Sequence, residues 1–380
     1  MKELSWAVRL LLVNQFGVNT GFYLLVPYLA GHLTKDLGLS AALTGVILGV
    51  RNLSQQGLFL VGGSASDRLG ARRVIIAGCA LRAVGFGLFA FGVTVPLLLA
   101  AAVLSGLAGA LFNPAVRGYV AVAAPDRARA FALFNVFAQA GALCGPVLGG
   151  VLLLVDFRAA ALTAASIFAV LTVAQACVLP GREVTPSGSS VLGDWRRCLA
   201  DRRFMAFTLA LSGMYALQNQ LYLVLPLAAE QATGTAGSVA LLFLVSTVAT
   251  LLFQVPITTW LKAATSRDRA MAYGLVVMGA GFLVPALSPG IVPVLAAVLA
   301  LAFGVMMTHP FVYERISDFG GESLAGTYFG VFYLVSGTVA AASTALVGWA
   351  GTAGFAVCAA TGLACAAAVL ILERRTAVPA

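Results

Sequence analysis

The feature that most constrains this chain is a succession of long apolar runs separated by short polar, glycine- or proline-containing breaks. An α-helix needs about 20 apolar residues to cross the hydrocarbon core of a bilayer, and most of these runs reach that length. Charged residues make up only 10% of the chain, against roughly 25% in soluble domains. The composition therefore excludes a soluble enzyme, a nucleic-acid-binding module and a secreted disulfide-linked scaffold.

The apolar runs predict an all-α membrane protein with twelve transmembrane helices in two six-helix bundles. Barrel strands are excluded because the runs are too long and too uniformly apolar to alternate in side-chain polarity. The predicted spans, numbered 1 to 12, are 8–30, 41–63, 74–93, 97–123, 131–154, 159–179, 204–228, 239–260, 271–287, 291–313, 327–350 and 353–372.

Two parts of the sequence repeat one another. The stretches 19–27 and 218–226 both carry an amide side chain, then a tyrosine, then a proline at the same spacing, and Asn113-Pro114 is echoed by His309-Pro310. Transporters are commonly built from such repeats. We predict an N-terminal bundle at 1–179, a cytoplasmic linker at 180–203 and a C-terminal bundle at 204–380.

The net charge of +9 could indicate a nucleic-acid partner, but the basic residues cluster in a way that indicates membrane orientation. Most Lys and Arg residues fall at span ends or loops on one side, whereas Lys35 and Arg158 fall on the other and Arg51 and Arg82 lie within spans. The positive-inside rule then places both termini in the cytoplasm.

The loop between spans 2 and 3 carries a patterned cluster of glycine, acidic and basic residues, namely Gly63, Asp67, Arg68, Gly70 and Arg72. It resembles the signature of the major facilitator superfamily at the same loop. The resemblance implies the two-bundle transporter fold and a cytoplasmic gate in which Asp67, Arg68 and Arg72 hold the halves together. Ala71 departs from the signature, which usually has a basic residue there. The alternative is that the arginines are only orientation signals.

Span 5 carries small residues at helical spacing together with a proline: Gly141, Gly145, Pro146, Gly149 and Gly150. Glycines four residues apart form a flat stripe on which another helix packs closely. The pattern resembles the motif of the drug–proton antiporter branch of that superfamily, and further similarity to its bacterial multidrug exporters runs along the chain. The resemblance implies a monomer in the bacterial plasma membrane. The alternative is an ordinary small-residue packing face. An arginine usual in span 4 is absent, since Ala102 and Ser105 precede Gly106.

Polar side chains within spans are predicted to face a substrate cavity, because they are costly in contact with lipid. Their spacing places several on one face of span 1 and several on one face of span 7. The alternative is interhelical hydrogen bonding. The predicted cavity residues are Gln15, Asn19, Tyr23, Arg51, Gln55, Asn113, Asn135, Gln139, Tyr215, Gln218, Asn219, Tyr222 and His309.

Arg51 and Arg82 lie in spans whose middle portions carry no Asp or Glu. A centred arginine costs about 2.5–3.5 kcal/mol on insertion scales, so it needs a partner. We expect Arg51, one turn from Gln55, to favour substrates that are acidic or zwitterionic. The alternative for both arginines is a structural contact with backbone carbonyls.

Transport coupled to protons requires a group that titrates, and the candidates are His309, Glu314 and Asp67. Transport without coupling also remains open. Neither metal-binding clusters nor nucleotide-binding or catalytic motifs occur in the sequence, so we expect no metal, no cofactor and no enzymatic activity.

The predicted function is secondary transport, with proton-driven export of small amphipathic compounds as the leading interpretation. Three alternatives remain: a dedicated exporter of one endogenous metabolite or natural product, an uptake symporter, and a non-transporting membrane receptor or assembly factor.

Overall fold

The computed structural model describes residues 5–181, 188–235, 237–350 and 353–377, so the part 182–187 of the predicted linker lies outside them. Every regular element in these ranges is a helix. A helix satisfies its backbone hydrogen bonds internally, which is the requirement that lipid imposes on a spanning segment.

The first part of the chain forms seven α-helices. Several begin after a residue whose side-chain oxygen accepts a first-turn amide hydrogen, as Ser5, Ser40 and Asp156 do. The helices are α1 (Trp6–Gly31, extended by a π-helical turn His32–Asp36), α2 (Ala41–Gly57), α3 (Phe59–Leu69), α4 (Ala71–Phe91), α5 (Val95–Ala123), α6 (Arg127–Leu153) and α7 (Phe157–Val178).

The second part begins with a short helix that the sequence analysis did not predict. This helix, α8 (Val191–Ala200), lies within the predicted linker. It is followed by α9 (Arg202–Gln218), a 3₁₀ turn (Asn219–Tyr222), α10 (Val224–Thr233), α11 (Gly237–Ala264), α12 (Arg267–Leu287), α13 (Ile291–Gly320), α14 (Ala325–Ala350) and α15 (Gly354–Ala377).

Among the described residues, ten helices are long and apolar enough to cross a membrane. The two further predicted spans are interrupted. Span 2 is divided into α2 and α3 at Leu58, and span 7 into α9, the 3₁₀ turn and α10. Pro226 contributes to the second break, because it has no amide hydrogen to donate to the preceding turn. The count of twelve spans therefore stays a prediction.

The chain forms two compact units. Unit 1 comprises Met1–Pro125, Phe137–Cys198 and Ile316–Leu334, and unit 2 comprises Asp126–Val136, Leu199–Arg315 and Val335–Ala380. In unit 1 the fully buried Phe86 and Phe168 pack with ring centroids 5.0 Å apart. The beginning of α14 thus belongs to the same unit as α3. The predicted division at 179 and 204 stays a prediction.

Candidate functional site

Asp67, near the end of α3, binds the N-terminus of α14. The backbone amides of Gly326 and Thr327 donate to its two carboxylate oxygens at 2.7 Å each. First-turn amides have no partner inside their own helix, and the helix dipole favours a negative charge at this end. A single carboxylate therefore satisfies two otherwise unpaired donors.

Two glycines allow the backbones of α3 and α14 to touch. A Cβ on Gly63 would overlap the carbonyl oxygen of Gly326, and a Cβ on Gly326 would overlap that of Gly63. Gly70, with φ of +89°, joins α3 to α4 in a conformation that favours glycine. We call the contact of Gly63 and Asp67 with Gly326 and Thr327 the latch.

Within the described part of the chain, neither Arg68 nor Arg72 forms a hydrogen bond with α14. Arg68 donates to the carboxylate of Asp194 and to the carbonyl of Ser189, both at 2.6 Å. Arg72 donates to the carbonyl of Ala176 in α7 at 2.6 Å. Sequence reasoning missed Asp194, although an acidic residue beside two arginines in a basic linker was a usable signal.

Burial is the main influence on the ionisation of Asp67, which lies beyond the apolar run of span 2. Burial raises the pKa of Asp67 to about 6, against the hydrogen bonds from Gly326 and Thr327, which lower it, and the neighbouring charge of Asp194 raises it further. A carboxylate in water has a pKa near 4. The latch in its closed form therefore binds a proton more readily than a solvated Asp67 does.

Unit 2 contains a related contact, in which a lysine of one helix pairs with the carboxylate that caps the N-terminus of another helix. Lys262, in the last turn of α11, pairs with Asp126 at 2.6 Å, and Asp126 caps α6 by accepting the amide of Arg129 at 3.1 Å. Although burial alone would raise the pKa of Asp126, the hydrogen bonds from Lys262 and Arg129 hold it below its ordinary value. In the predicted repeat, α6 corresponds to α14.

The predicted span 5 motif packs α6 against α1 within unit 1. A Cβ on Gly141 would overlap the carbonyl oxygen of Phe16, and one on Gly149 would overlap that of Leu24. A Cβ on Gly145 would come within 2.7 Å of the Cβ of Tyr23. Glycine is therefore required at each of these positions for the two helices to approach so closely.

Two further residues of the motif meet the side chain of Tyr28 on α1. The hydroxyl of Tyr28 donates to the carbonyl of Pro146 at 2.7 Å. A Cβ on Gly150 would make only an ordinary contact, 3.5 Å from the hydroxyl oxygen of Tyr28. Gly150 is therefore the glycine of the motif at which a larger side chain meets least resistance.

On α1, the predicted polar face is used partly for helix packing. Gln15 donates to Asn19 at 3.0 Å, and Asn19 donates to the carbonyl of Ala138 in α6 at 2.8 Å. Gln139, which lies next to Ala138 in α6, is half-buried. Asn19 thus makes an interhelical hydrogen bond, and its place in a substrate cavity stays a prediction.

The predicted residues of span 7 lie in unit 2. The hydroxyls of Tyr215 and Tyr313 are 3.1 Å apart, and the ring of His309 lies 5.6 Å from Tyr215 and 5.1 Å from Tyr313. Gln218 and Asn219 are half-buried, whereas Tyr222, in the 3₁₀ turn, is 62% exposed. The turn therefore interrupts the continuous helical face that the spacing of these residues predicts.

Two other predicted cavity amides have partners within their own units. In unit 2, Asn135 donates to Gln254 at 2.6 Å, and the fully buried Gln254 donates to the carbonyl of Met306. In unit 1, Asn113 accepts from Arg117 at 3.2 Å through its backbone carbonyl and at 3.4 Å through its side-chain oxygen. Both contacts are compatible with a structural role.

Arg51 is a buried cation with unsatisfied donors. Its side chain is 8% exposed, and one nitrogen donates to Asn52 at 2.5 Å. Its Nε and Nη1 have no hydrogen-bond partner among the described residues, and its guanidinium lies 5.2 Å from the ring centre of Phe22. No described carboxylate forms an ion pair with it. A buried donor without a partner is costly, so an acceptor is needed there.

Arg82 is held differently, between aromatic rings. Its guanidinium lies 5.4 Å from the ring centre of Phe112 and 5.6 Å from that of Phe168. A Cβ on Gly109 would lie 3.2 Å from an Arg82 nitrogen and 3.0 Å from the Gln55 side-chain oxygen, so both side chains converge on α5. Cation–π contacts of this kind support the structural interpretation for Arg82.

The predicted titratable residues have different surroundings. His309 is 8% exposed, between the two tyrosines. Glu314 pairs with Arg267 at 3.5 Å near the end of α13. Protonation of Glu314 would break an ion pair.

Comparison with known proteins places the chain in a family. The Major Facilitator Superfamily profile matches residues 11–345. An uncharacterised MFS-type transporter of Mycobacterium tuberculosis is 41% identical over 343 residues, which cover 87% of this chain and 82% of that protein. The multidrug resistance protein MdtH of Salmonella newport is 29% identical over 322 residues, covering 84% and 80%.

Solved structures share the fold. The fucose:proton symporter FucP of E. coli superposes with a TM-score of 0.78 at 19% identity, over 98% of each chain. The human organic anion transporter MFSD10 superposes with a TM-score of 0.71 at 17% identity, over 96% of this chain and 97% of that one. With the profile covering most of its length and the helical architecture in agreement, this chain belongs to the Major Facilitator Superfamily of membrane transporters.

Proposed function

We propose that this protein exports small amphipathic compounds across a bacterial plasma membrane in exchange for protons, as a twelve-span monomer with both termini in the cytoplasm. The observation that carries the proposal is the close packing of Gly141, Gly145 and Gly149 of α6 against α1, beside Pro146. This glycine–proline pattern is the one that resembles drug–proton antiporters. The similarity to the multidrug resistance protein MdtH supports the same activity.

The latch supports a mechanism in which the protein opens alternately to each side. Its strongest contacts are two hydrogen bonds to one carboxylate and a glycine–glycine backbone contact. Inward movement of one proton supplies about 2.3 kcal/mol per 100 mV, enough for roughly a fifty-fold gradient of substrate.

The unsatisfied donors of Arg51 support a substrate that carries an acidic group, with or without a basic one. A carboxylate accepts a charge-assisted hydrogen bond from either Nε or Nη1, which a neutral ester reproduces poorly. The nearby ring of Phe22 suits the apolar part of an amphipathic compound. Tyr23, Gln55 and the remaining predicted cavity residues belong to the same proposal.

Arg51→Gln should reduce the preference for a carboxylate compound over its methyl ester by roughly tenfold, because a charge-assisted hydrogen bond is worth about 1.5–3 kcal/mol. The measurement is transport of both compounds by proteoliposomes. Arg158→Gln, at the predicted outer end of α7, is the matched control. Equal discrimination by Arg51→Gln and the unaltered protein would rule out this role.

For proton coupling, we propose His309, since imidazole titrates near neutral pH and Glu314 is already paired with Arg267. His309→Gln should abolish the proton flux evoked by substrate, whereas Glu314→Gln should leave it measurable. Proton flux retained in His309→Gln would exclude His309.

The same proteoliposomes discriminate among the alternative functions. A narrow substrate profile would favour a dedicated exporter, and accumulation in cells rather than depletion would favour a symporter. Failure of every compound to move would favour a receptor or assembly factor.

A further inference from the structure

The short helix α8 docks on α3 beside the latch, through side chains that the signature does not include. Asp194 is 2% exposed and forms its ion pair with Arg68, whose neighbour Asp67 holds the N-terminus of α14. Ser189 also donates to Asp194. All of these residues belong to unit 1. A buried carboxylate is costly unless it is paired, so docking of α8 requires Arg68 in this place.

The ion pair also determines what Asp67 can bind. Arg68 directly follows Asp67, and a guanidinium free of Asp194 could turn to the Asp67 carboxylate and compete with the amides of Gly326 and Thr327. Two acceptors, the Asp194 carboxylate and the Ser189 carbonyl, hold the guanidinium at 2.6 Å. The Asp67 oxygens are thereby left to α14.

A second contact leads from α8 directly to α14. The indole nitrogen of Trp195 donates to the hydroxyl oxygen of Ser64 at 2.6 Å, and the Ser64 hydroxyl lies 3.3 Å from that of Thr327. Ser64 is 4% exposed. The three polar groups form one chain from the linker through α3 to the first turn of α14.

We infer that the linker helix is part of the latch, with Asp194 and Trp195 as positioning residues that hold Arg68 and Ser64 so that α3 can bind α14. This inference rests on the proposed function only in treating the latch as a contact that opens and closes. Coupling between two contacts is reciprocal, so release of α8 weakens the latch and opening of the latch weakens the docking of α8.

Hydrogen exchange at the amides of Gly326 and Thr327 tests the inference, because these amides are protected by Asp67 and touch neither positioning residue. In purified full-length protein in nanodiscs, Asp194→Asn should accelerate their exchange about tenfold, the order expected for loss of a charge-assisted hydrogen bond. Trp195→Phe should act in the same direction. Arg197→Gln, exposed on the same helix, is the control that should change nothing.

A charge-exchanged pair, Arg68→Asp with Asp194→Arg, should restore part of the protection that Asp194→Asn loses. Should Asp194→Asn not fold, Trp195→Phe alone decides the question. Unchanged exchange at Gly326 and Thr327, with faster exchange confined to α8, would overturn the inference. The measurement needs no transported compound, so a protein that transports nothing would contradict the proposed function and leave this result intact.

Discussion

Asp67→Ala is expected to lower the population of the closed latch about a hundredfold and to reduce transport in proportion. The alanine removes both acceptors from Gly326 and Thr327, and two hydrogen bonds to a charged group are together worth about 3 kcal/mol. Spin labels on Leu69 and Glu322, both exposed, report the separation of α3 from the loop before α14. Longer distances are expected in the variant.

The control for this variant is Asp36→Ala, which removes an exposed carboxylate that pairs with His32 at 2.7 Å in the extension of α1. It should leave both the label distances and transport unchanged. Asp67→Ala with the distances and transport rate of the unaltered protein would show that this carboxylate does not hold the latch.

The same labels should reveal a pH dependence with a definite sign. The pKa of Asp67 is raised to about 6 in the closed latch, whereas a solvated carboxylate has a pKa near 4. Protonation therefore favours closure, fully below pH 4, and this contribution is lost as the pH rises through 6. Asp67→Asn removes the titrating group and keeps only one of the two acceptors, so the label distances should no longer depend on pH.

Leucine substitutions at Gly63 and Gly141 should differ in effect: the first should mainly reduce transport, and the second should mainly reduce thermal stability. Gly63→Leu places a side chain against the carbonyl of Gly326 and should therefore keep the latch from closing. It should reduce transport about a hundredfold or more with little loss of thermal stability. Gly141→Leu forces α6 away from α1, and overpacking against backbone should lower the melting temperature by about 5 °C or more.

Two glycines provide matched controls. A Cβ on Gly49 of α2 would meet nothing within 4 Å, and one on Gly150 would meet only the Tyr28 hydroxyl at 3.5 Å. Gly49→Leu and Gly150→Leu should therefore retain both transport and stability to a large extent. If Gly63→Leu destabilises the protein as much as Gly141→Leu does, the α3–α14 contact is a permanent part of the fold and not a latch.

Helix positions could be predicted from the sequence because the bilayer permits few structures and the apolar runs have the length of a span. The interruptions at Leu58 and before α10 could not be predicted. Short polar stretches, 54–56 and 218–220, stand at the two breaks, but polar residues such as Asn14 and Gln15 also occur within the uninterrupted α1. Only Pro226 indicates that a backbone hydrogen bond is missing.

The signature predicted that Asp67 matters but not what it binds. Its partners are the backbone amides of residues 326 and 327. Almost every residue has a backbone amide, so the side chains in a sequence do not show which amides will bind a carboxylate. The prediction that Arg68 forms part of a gate between the halves did not include its partners, which are Ser189 and Asp194. The hydrogen-bond partners of a long basic side chain are set by residues distant in the sequence, and a single sequence does not show which residues these are.

A reversible cross-link across the latch should show whether the latch opens in every transport cycle. The hydroxyls of Ser64 and Thr327 are 3.3 Å apart, so Ser64→Cys with Thr327→Cys, in a chain whose native cysteines have been replaced, places two thiols within reach of a disulfide. Oxidation in proteoliposomes should stop substrate-evoked proton flux, and reduction should restore it. Undiminished flux in fully cross-linked protein would show that transport does not require the latch to open.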